Sequence, residues 1–343
     1  MKRSQHRSRQ RGVGLIEIMV SLVLGLLVVG AASAVFIATR QANRTSDGLS
    51  RLQESARTAF DLIMRDVREG GGTPCDSYMN FVNVLNAAQA TPPTWWADWN
   101  RPVRGFGGAD AFDGAAFGGG VGQRVAGTDA ISVLFVDDLR GLAISAHDTG
   151  TSVFTVSRAN PGIAVGQPLM ACNYLRSALF AATAVNAAGA TVTAAQAAGT
   201  NGNCTAGLAL PTDCAATNNY SFPAGSKIGA LQAVGWYIGN NGRADTGGRS
   251  LYRVTRTATE EIAEGVTAMT VTYLTSTGTD YVAPASITDW GRDAPAPIVG
   301  VRIQLTLQGG EANTSTATAN TRVQRSFSFN VVLRNRAAWV APA

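Results

Sequence analysis

The 343-residue sequence is short of histidine and of charge. It contains two histidines, and 15% of its residues are charged, against roughly 25% in an average globular protein. The low charge excludes a disordered acidic or basic polymer, and two histidines leave little room for a zinc site or a catalytic triad. The four cysteines include no Cys-x-x-Cys pair, so a cysteine-based metal site has poor spacing. The composition therefore favours a protein without a metal, a cofactor or an enzymatic activity.

The positive charge is concentrated at the amino end. The formal net charge is +5, and five of the 28 basic residues fall within the first twelve positions, which leaves 23 basic against 23 acidic residues in the remainder. Those five are Lys2, Arg3, Arg7, Arg9 and Arg11. Because the rest of the chain is neutral overall, the high isoelectric point does not indicate a nucleic-acid partner.

A long apolar run follows this basic segment. No charged residue occurs from Ile18 to Ala38, a length of 21 residues. About 20 apolar residues in a helix cross the hydrocarbon core of a bilayer. Because the basic residues precede the run, we expect the amino terminus to stay in the cytoplasm. The rest of the chain would then cross the inner membrane into the periplasm.

Three interpretations of the amino end compete. A secretory signal would use Ala32-Ser33-Ala34 as its cleavage site, but the apolar run is longer than the usual run of about 7–15 residues. A plain membrane anchor would leave Gly12 and Glu17 unexplained. In the third interpretation, the segment resembles a type IV prepilin leader, in which a short basic leader ends in glycine and glutamate is the fifth residue after it. The resemblance implies that a prepilin peptidase cuts between Gly12 and Val13 and methylates the new amine of Val13.

Glu17 is the candidate assembly residue. An ionised carboxylate in hydrocarbon is costly, by about 2.5–3.5 kcal/mol or more. In the core of a fibre, the Glu17 carboxylate of one subunit would meet the Val13 ammonium of another and set the axial register, because an unpaired buried charge is expensive. The alternative is that Glu17 reaches the membrane interface, one helical turn away. The neighbouring Gly12 favours the pairing.

The apolar run continues into an amphipathic segment over residues 39–70. Apolar residues recur there at helical spacing, namely Leu49, Leu52, Ala56, Ala59, Ile63 and Val67. No proline interrupts the chain from Val13 to Glu69, and Gly70-Gly71-Gly72 predict the helix end. A coiled-coil stalk is the alternative, but its heptad pattern is not sustained. We therefore expect one helical rod whose second half packs on a soluble head.

Beyond residue 72 the sequence changes to short strand patterns separated by turn residues. The predicted strands are Ala130–Val136, Thr151–Val156, Pro168–Ala171, Leu231–Ile238, Ser250–Val254, Val266–Leu274, Ile298–Leu307 and Arg325–Leu333. One long helix with many strands predicts an α+β fold, a pilin-like roll in which the helix packs on an antiparallel β-sheet. Residues 89–128 and 186–220 are predicted to be long loop insertions.

The expected domains are four. They are a leader (1–12), a transmembrane and filament-core helix (13–38), an amphipathic helix extension (39–70) and a β-rich periplasmic head (71–343).

Six segments of the helix end and the head carry a further resemblance. They are Asp66-Val-Arg-Glu-Gly70, Val234-Gly-Trp-Tyr-Ile-Gly239, Ser250-Leu-Tyr-Arg253, Ile262-Ala-Glu-Gly-Val266 with Met269 and Tyr273, Val299-Gly-Val-Arg-Ile303 and Val332-Leu-Arg-Asn-Arg336. Together they resemble the PilW family of type IV pilus minor pilins.

This resemblance implies an assembly protein that primes pilus growth and sits at or near the fibre tip. Its partners would be other minor and major pilins, the prepilin peptidase and the pilus assembly platform, with a tip adhesin as a further candidate. The alternatives are a type II secretion pseudopilin, which shares the leader and the rod, and a membrane-anchored module that binds glycan or DNA.

The four cysteines lie beyond the apolar run, where an oxidising periplasm allows disulfides to form. Of the three possible pairings, the one that joins Cys204 to Cys214 and Cys75 to Cys172 is favoured, because local pairs close most readily. The alternative is four buried, reduced thiols.

Two further features are candidates for binding or catalysis. The first is a possible ligand loop that contains Trp95, Trp96 and Trp99. If these rings are exposed, they would stack on sugars, bases or a partner. If they are buried, they would cap the core. His147 and Asp148 are adjacent, which is a poor geometry for a catalytic dyad, and a polar turn is predicted there.

Overall fold

A computed structural model describes residue 12 and residues 14–75, 80–244, 247–309 and 322–336. Val13 and residues 1–11, which include most of the predicted leader, lie outside the described residues. The described part confirms the predicted α+β class, with a long amino-terminal helix followed by β-sheets.

The helix, α1, spans Leu15–Glu69 without interruption. Its 55 residues correspond to a length of about 83 Å. In its second half, the side chains that recur at helical spacing are buried, namely Leu52, Ala56, Ala59, Ile63 and Val67. The helix ends where the chain approaches the strands closely, since a Cβ atom on Gly70 would lie 2.7 Å from Cγ2 of Val103.

The described residues contain fifteen β-strands. In chain order they are β1 (Phe81–Asn83), β2 (Val103–Phe106), β3 (Ala130–Asp137), β4 (Ile144–Asp148), β5 (Val153–Val156), β6 (Pro168–Cys172), β7 (Ser177–Ala181), β8 (Ala184–Asn186), β9 (Thr191–Thr193), β10 (Lys227–Asn240), β11 (Arg249–Thr255), β12 (Thr259–Glu264), β13 (Val266–Thr275), β14 (Ile298–Gln308) and β15 (Gln324–Val332). Short 3-10 helices cover Asn86–Ala88 and Pro284–Ser286.

These strands form three sheets, where the sequence predicted one antiparallel sheet. The largest has the order β1-β7-β6-β10-β11-β12, with β3 paired to β10 and β2 paired to β3. The smaller sheets have the orders β13-β14-β15 and β4-β5-β9-β8. The largest sheet is mixed, because β1 and β7 are parallel.

The strands that the sequence did not predict have atypical patterns. All five residues of β7 are buried, so this strand shows no alternation of polar and apolar residues. The edge strand β12 carries exposed glutamates. Strands β2 and β9 lie inside the segments 89–128 and 186–220, which were predicted to be loops.

The helix and two of the sheets enclose the larger core. The buried face of α1 packs against β14, β15, β3 and β12. The ring of Phe60 meets those of Phe327 and Phe329 edge-on, with centroid distances of 6.2 and 4.3 Å. The amide of Asn335 donates to the carbonyl oxygen of Glu69 at 3.3 Å. The strand β15 therefore ends beside the end of the helix.

A second core belongs to residues 138–226, which are inserted between the paired strands β3 and β10. Asp137, at the end of β3, is opposite Ala230, near the start of β10, and the residues between them include β6 and β7, which belong to the same sheet. The inserted residues supply most of a second apolar cluster, which includes Phe154 and Phe180 and is completed by Val82, Val84, Ile228 and Ala230. We call residues 138–226 the distal lobe.

The distal lobe lies at the far end of the head from the apolar half of α1. The backbone N–H of Gly71, just after the helix, donates to the carbonyl oxygen of Leu134 at 2.8 Å. Leu134 is paired with Ala233 in β10. The first residues of β10, which connect to the lobe, are therefore beyond the end of the helix.

Candidate assembly site

Glu17 lies in the first turn of α1. The backbone N–H groups of Glu17 and Ile18 donate to the carbonyl oxygen of Gly14 at 3.0 and 3.2 Å, and the side chain of Glu17 is exposed. A carboxylate in a first turn is stabilised by the positive end of the helix dipole. Among the described residues, no atom comes within 4 Å of the position that a Cβ on Gly12 would take.

The amino-terminal half of α1 carries a large apolar surface. Its large apolar side chains from Leu15 to Ile37 are between 51% and 78% exposed. The helix is long and apolar enough to cross a membrane, by length and composition. An apolar surface of this extent marks a site of contact with a membrane or with other proteins.

Two hydroxyl groups in or next to this surface are satisfied within the helix. The hydroxyl of Ser21 donates to the carbonyl oxygen of Ile18 at 2.9 Å, and that of Thr39 donates to the carbonyl oxygen of Val35 at 2.8 Å. These internal bonds lower the penalty of placing a hydroxyl in an apolar environment. Neither residue therefore needs a polar partner on another helix.

The other half of α1 is fixed to the head through Asp66. One carboxylate oxygen of Asp66, Oδ2, accepts hydrogen bonds from Nε1 of Trp236 at 3.1 Å and from Nε of Arg253 at 2.9 Å. Asp66 and Trp236 are both buried. Because a buried carboxylate is stable only when it is paired, these bonds set the position of the helix against β10 and β11. Sequence reasoning noted Asp66 only as part of a resemblance and assigned it no contact.

Two disulfides stabilise the head. Cys75 is bonded to Cys172 at the end of β6, and Cys204 is bonded to Cys214. These are the pairs that the sequence favoured. The first joins the chain that leaves the helix to the distal lobe, and the second closes a loop within that lobe. Both bonds require an oxidising compartment to persist.

The tryptophan-rich segment belongs to the core. Trp96 and Trp99 are 7% and 2% exposed and pack in one apolar cluster with residues of β6 and β7. Trp95 packs edge-on against Phe112, with ring centroids 5.3 Å apart. The ligand loop considered from the sequence is therefore not present as an open stacking surface, because these large rings are stabilised by leaving water.

His147 lies in strand β4 rather than in the predicted turn. Its ring stacks on that of Phe154 with a centroid distance of 3.8 Å, and its Nδ1 accepts a hydrogen bond from the backbone N–H of Phe222 at 3.2 Å. Burial lowers the pKa of His147 to about 4. The turn begins at Asp148, whose carboxylate accepts hydrogen bonds from the backbone of Gly150 and the hydroxyl of Thr151. The imidazole and this carboxylate thus serve separate structural contacts.

Arg124 is a buried cation that sequence patterns do not reveal. Its guanidinium donates to the carbonyl oxygens of Asp110, Gly107 and Thr128, each at 2.8 Å. Burial lowers the pKa of this guanidinium from its ordinary value. The bonds hold the glycine-rich segment around Arg124 against the sheet. In the sequence, the only indication of this buried position was an isolated arginine among glycines.

A family model described as "Prokaryotic N-terminal methylation motif" matches residues 7–33. No curated protein and no solved structure matches the chain. The motif indicates a type IV pilin-like or pseudopilin protein, a structural and non-enzymatic group. It also fits anchoring of the apolar helix in a membrane and contact with other pilins and with a prepilin peptidase.

Proposed function

We propose that this chain is a minor pilin that takes part in type IV pilus assembly, as a priming subunit or in the tip complex. One observation carries the proposal. A methylation motif over residues 7–33 is continuous with a helix whose first half is exposed and apolar and whose second half is buried on a β-rich head. A subunit of this form exchanges lipid contacts for contacts with other helices when it joins a fibre.

The proposed topology places residues 1–12 in the cytoplasm and the head in the periplasm. The basic residues of the leader precede the apolar run, as expected for a segment retained on the cytoplasmic side. The two disulfides of the head suit the oxidising side of the inner membrane. After cleavage between Gly12 and Val13, the helix is anchored in the membrane until the subunit enters the fibre.

Within the fibre, Glu17 pairs with the methylated ammonium of Val13 on a neighbouring subunit. The carboxylate is exposed in the first turn of α1, which supports this pairing because it leaves the group accessible to a neighbouring subunit. A charge pair between helices fixes their relative height, since any other register leaves a charge unpaired in an apolar environment.

Assignment to the PilW type is supported by where the resembling segments lie. Asp66 comes from the first of them, and it bonds to Trp236 and Arg253 from the second and third. Met269 and Tyr273, from the fourth, are buried in the same core. These four segments thus contribute to one region of contact between the helix and the head.

The test is the intact mass and amino-terminal sequence of the mature protein from its own cells. We expect a start at methylated Val13, and an uncut chain in cells that lack the prepilin peptidase. A start at Val35 indicates signal peptidase and contradicts the proposal, as does an uncut chain in normal cells.

Cells that lack this chain then distinguish a function in the pilus from a function in protein secretion. We expect loss of surface pili and of twitching motility. Loss of protein secretion with normal pili would assign the chain to the pseudopilins of a type II secretion system.

A further inference from the structure

We propose that the distal lobe binds a protein partner. The bound segment of that partner presents a carboxylate beside an apolar side chain. The site is a cavity of about 550 Å³ at the far end of the head, together with the turn between β6 and β7. This inference goes beyond the proposed function and does not depend on it, because it uses the head alone.

The cavity has apolar walls and one positive charge. Its walls include Pro74, Pro223 and the Cys75–Cys172 disulfide, and Lys227 lines it as well. No carboxylate is among the described residues that line it. Lys227 is exposed and forms no ion pair with any residue that the structure describes. A carboxylate from a partner would complement this positive charge.

Lys227 is unusual in the composition of the chain. The sequence contains two lysines, Lys2 and Lys227, beside 26 arginines. Lys2 lies in the basic segment before the apolar run, so Lys227 is the one lysine in the sequence of the head. An ammonium is a compact, strongly hydrated point charge on a flexible stem.

The adjoining turn exposes two apolar side chains. Tyr174 is 83% exposed and Leu175 is 55% exposed. Exposed large apolar side chains beside a concave surface mark an interaction site, and tyrosine is among the residues that dominate protein–protein binding. The patch therefore supplies the apolar part of a binding surface whose charged part is Lys227.

The turn is rigid, which makes the exposure of Tyr174 a fixed feature of the surface. Oδ1 of Asn173 accepts hydrogen bonds from the backbone N–H groups of Leu175 and Arg176 at 2.9 and 3.1 Å. Nδ2 of Asn173 donates to the hydroxyl of Tyr220 at 2.8 Å, and the Arg176 guanidinium lies 4.1 Å from the centroid of the Tyr220 ring. A pre-formed surface loses little conformational entropy on binding.

The same contacts favour a protein over a carbohydrate. Recognition of a sugar needs several polar side chains that are free to bond to hydroxyl groups. Here the amide of Asn173 is already occupied on both sides, and the hydroxyl of Ser226 donates to the carbonyl oxygen of Pro223 at 2.6 Å. An aliphatic side chain such as Leu175 also adds nothing to a sugar site, whereas it suits an apolar side chain of a protein.

The experiment uses the full chain in detergent micelles and two sets of fluorescent hexapeptides. In the first set Asp or Glu stands beside Leu, Phe or Trp, and in the matched set Asn or Gln replaces the acid. We expect fluorescence anisotropy to show binding of acidic peptides, at least fivefold weaker binding of the matched amides, and a loss of affinity as salt is raised.

Four variants locate the site. Lys227→Gln and Tyr174→Ser should each weaken binding about tenfold, while Lys227→Arg, which keeps the charge, should restore most of it. Val165→Ser is the matched control, because Val165 is an exposed apolar residue (66%) of the same lobe outside the cavity. Its binding should equal that of the unchanged chain. The substituted side chains are exposed, so an unchanged melting temperature should accompany each result.

Four outcomes would overturn the inference. They are no binding by either peptide set, equal binding of the acidic and amide sets, unchanged binding by Lys227→Gln, and binding of anionic oligosaccharides at this site in place of peptides. Self-association of the chain that Lys227→Gln abolishes would instead identify a second copy as the occupant. None of these results bears on cleavage at Gly12, so failure here is distinguishable from failure of the proposed function.

Discussion

The carboxylate of Asp66 accepts a hydrogen bond from Nε of Arg253 at 2.9 Å across a sequence separation of 187 residues. The same oxygen accepts a bond from the indole of Trp236. These contacts join the last turns of the helix to the middle of the largest sheet. They make Asp66 a polar attachment point between the helix and the head.

Replacing Asp66 with alanine should therefore destabilise the head. We expect the free energy of unfolding to fall by about 2–3 kcal/mol, because Arg253 and the indole of Trp236 lose their acceptor. Urea unfolding of the full chain in detergent, followed by tryptophan fluorescence, measures the change. Asp61→Ala, an exposed site on the same helix, should stay within about 0.5 kcal/mol of the unchanged chain. Equal effects of the two substitutions would contradict the role assigned to Asp66.

We expect Glu17 to act in assembly without affecting the fold. Glu17→Ala should insert in the membrane normally but recover about tenfold less of the partner pilins when a tagged chain is purified, since the Val13 ammonium of a neighbour is left unpaired. Glu54→Ala, an exposed glutamate further along α1, is the control and should recover the partners fully. Normal recovery with Glu17→Ala would exclude the charge pairing.

The two disulfides should contribute unequally to stability. Cys75 and Cys172 are 97 residues apart, whereas Cys204 and Cys214 are 10 apart. On the chain-entropy model, removal of the first bond costs about 4–5 kcal/mol and removal of the second about 3 kcal/mol. Urea unfolding of the Cys75→Ser/Cys172→Ser and Cys204→Ser/Cys214→Ser chains measures both. The reverse order would mean that the long loop is already restricted in the unfolded state.

His147 makes the distal lobe sensitive to acid. The pKa of His147 is lowered from 6.5 to about 4 in the folded chain, mainly by burial, and the nearby Asp148 opposes the shift. Between these two pKa values the unfolded chain binds a proton at His147 more readily than the folded chain does. The contribution of neutral His147 to stability is therefore complete above pH 6.5 and is lost as the pH falls towards 4. We expect a loss of about 1–2 kcal/mol at pH 4.5, after discounting for partial exposure.

Comparing the chain with His147→Phe isolates this effect. Phenylalanine keeps the stacking on Phe154 but does not titrate. Urea midpoints measured at pH 7 and pH 4.5 should show a smaller acid-induced loss in the variant. An identical loss in both chains would assign the acid sensitivity to carboxylates elsewhere.

Much of the fold was predictable because it depends on local patterns. The apolar run, the helical spacing from Leu52 to Val67 and the glycines after Glu69 each act over a few residues, and α1 follows them closely. The strands β3, β10, β13, β14 and β15 follow patterns of the same kind. The favoured cysteine pairing was also predicted from a local property, because cysteines that are close in the sequence pair most readily. By contrast, β7 and β12 depend on their neighbours in the sheet, so no local pattern marked them.

The sequence by itself determined the processing motif, the membrane-length helix and the position of Glu17, because these depend on the order of residues along one helix. Tertiary structure decided what surrounds each side chain of the head. It buried Trp96 and Trp99, gave Asp66 its partners, and placed Tyr174 and Lys227 at one cavity. The physical reason is that burial, ion pairing and cavity formation require residues far apart in the chain to meet, and only packing brings them together.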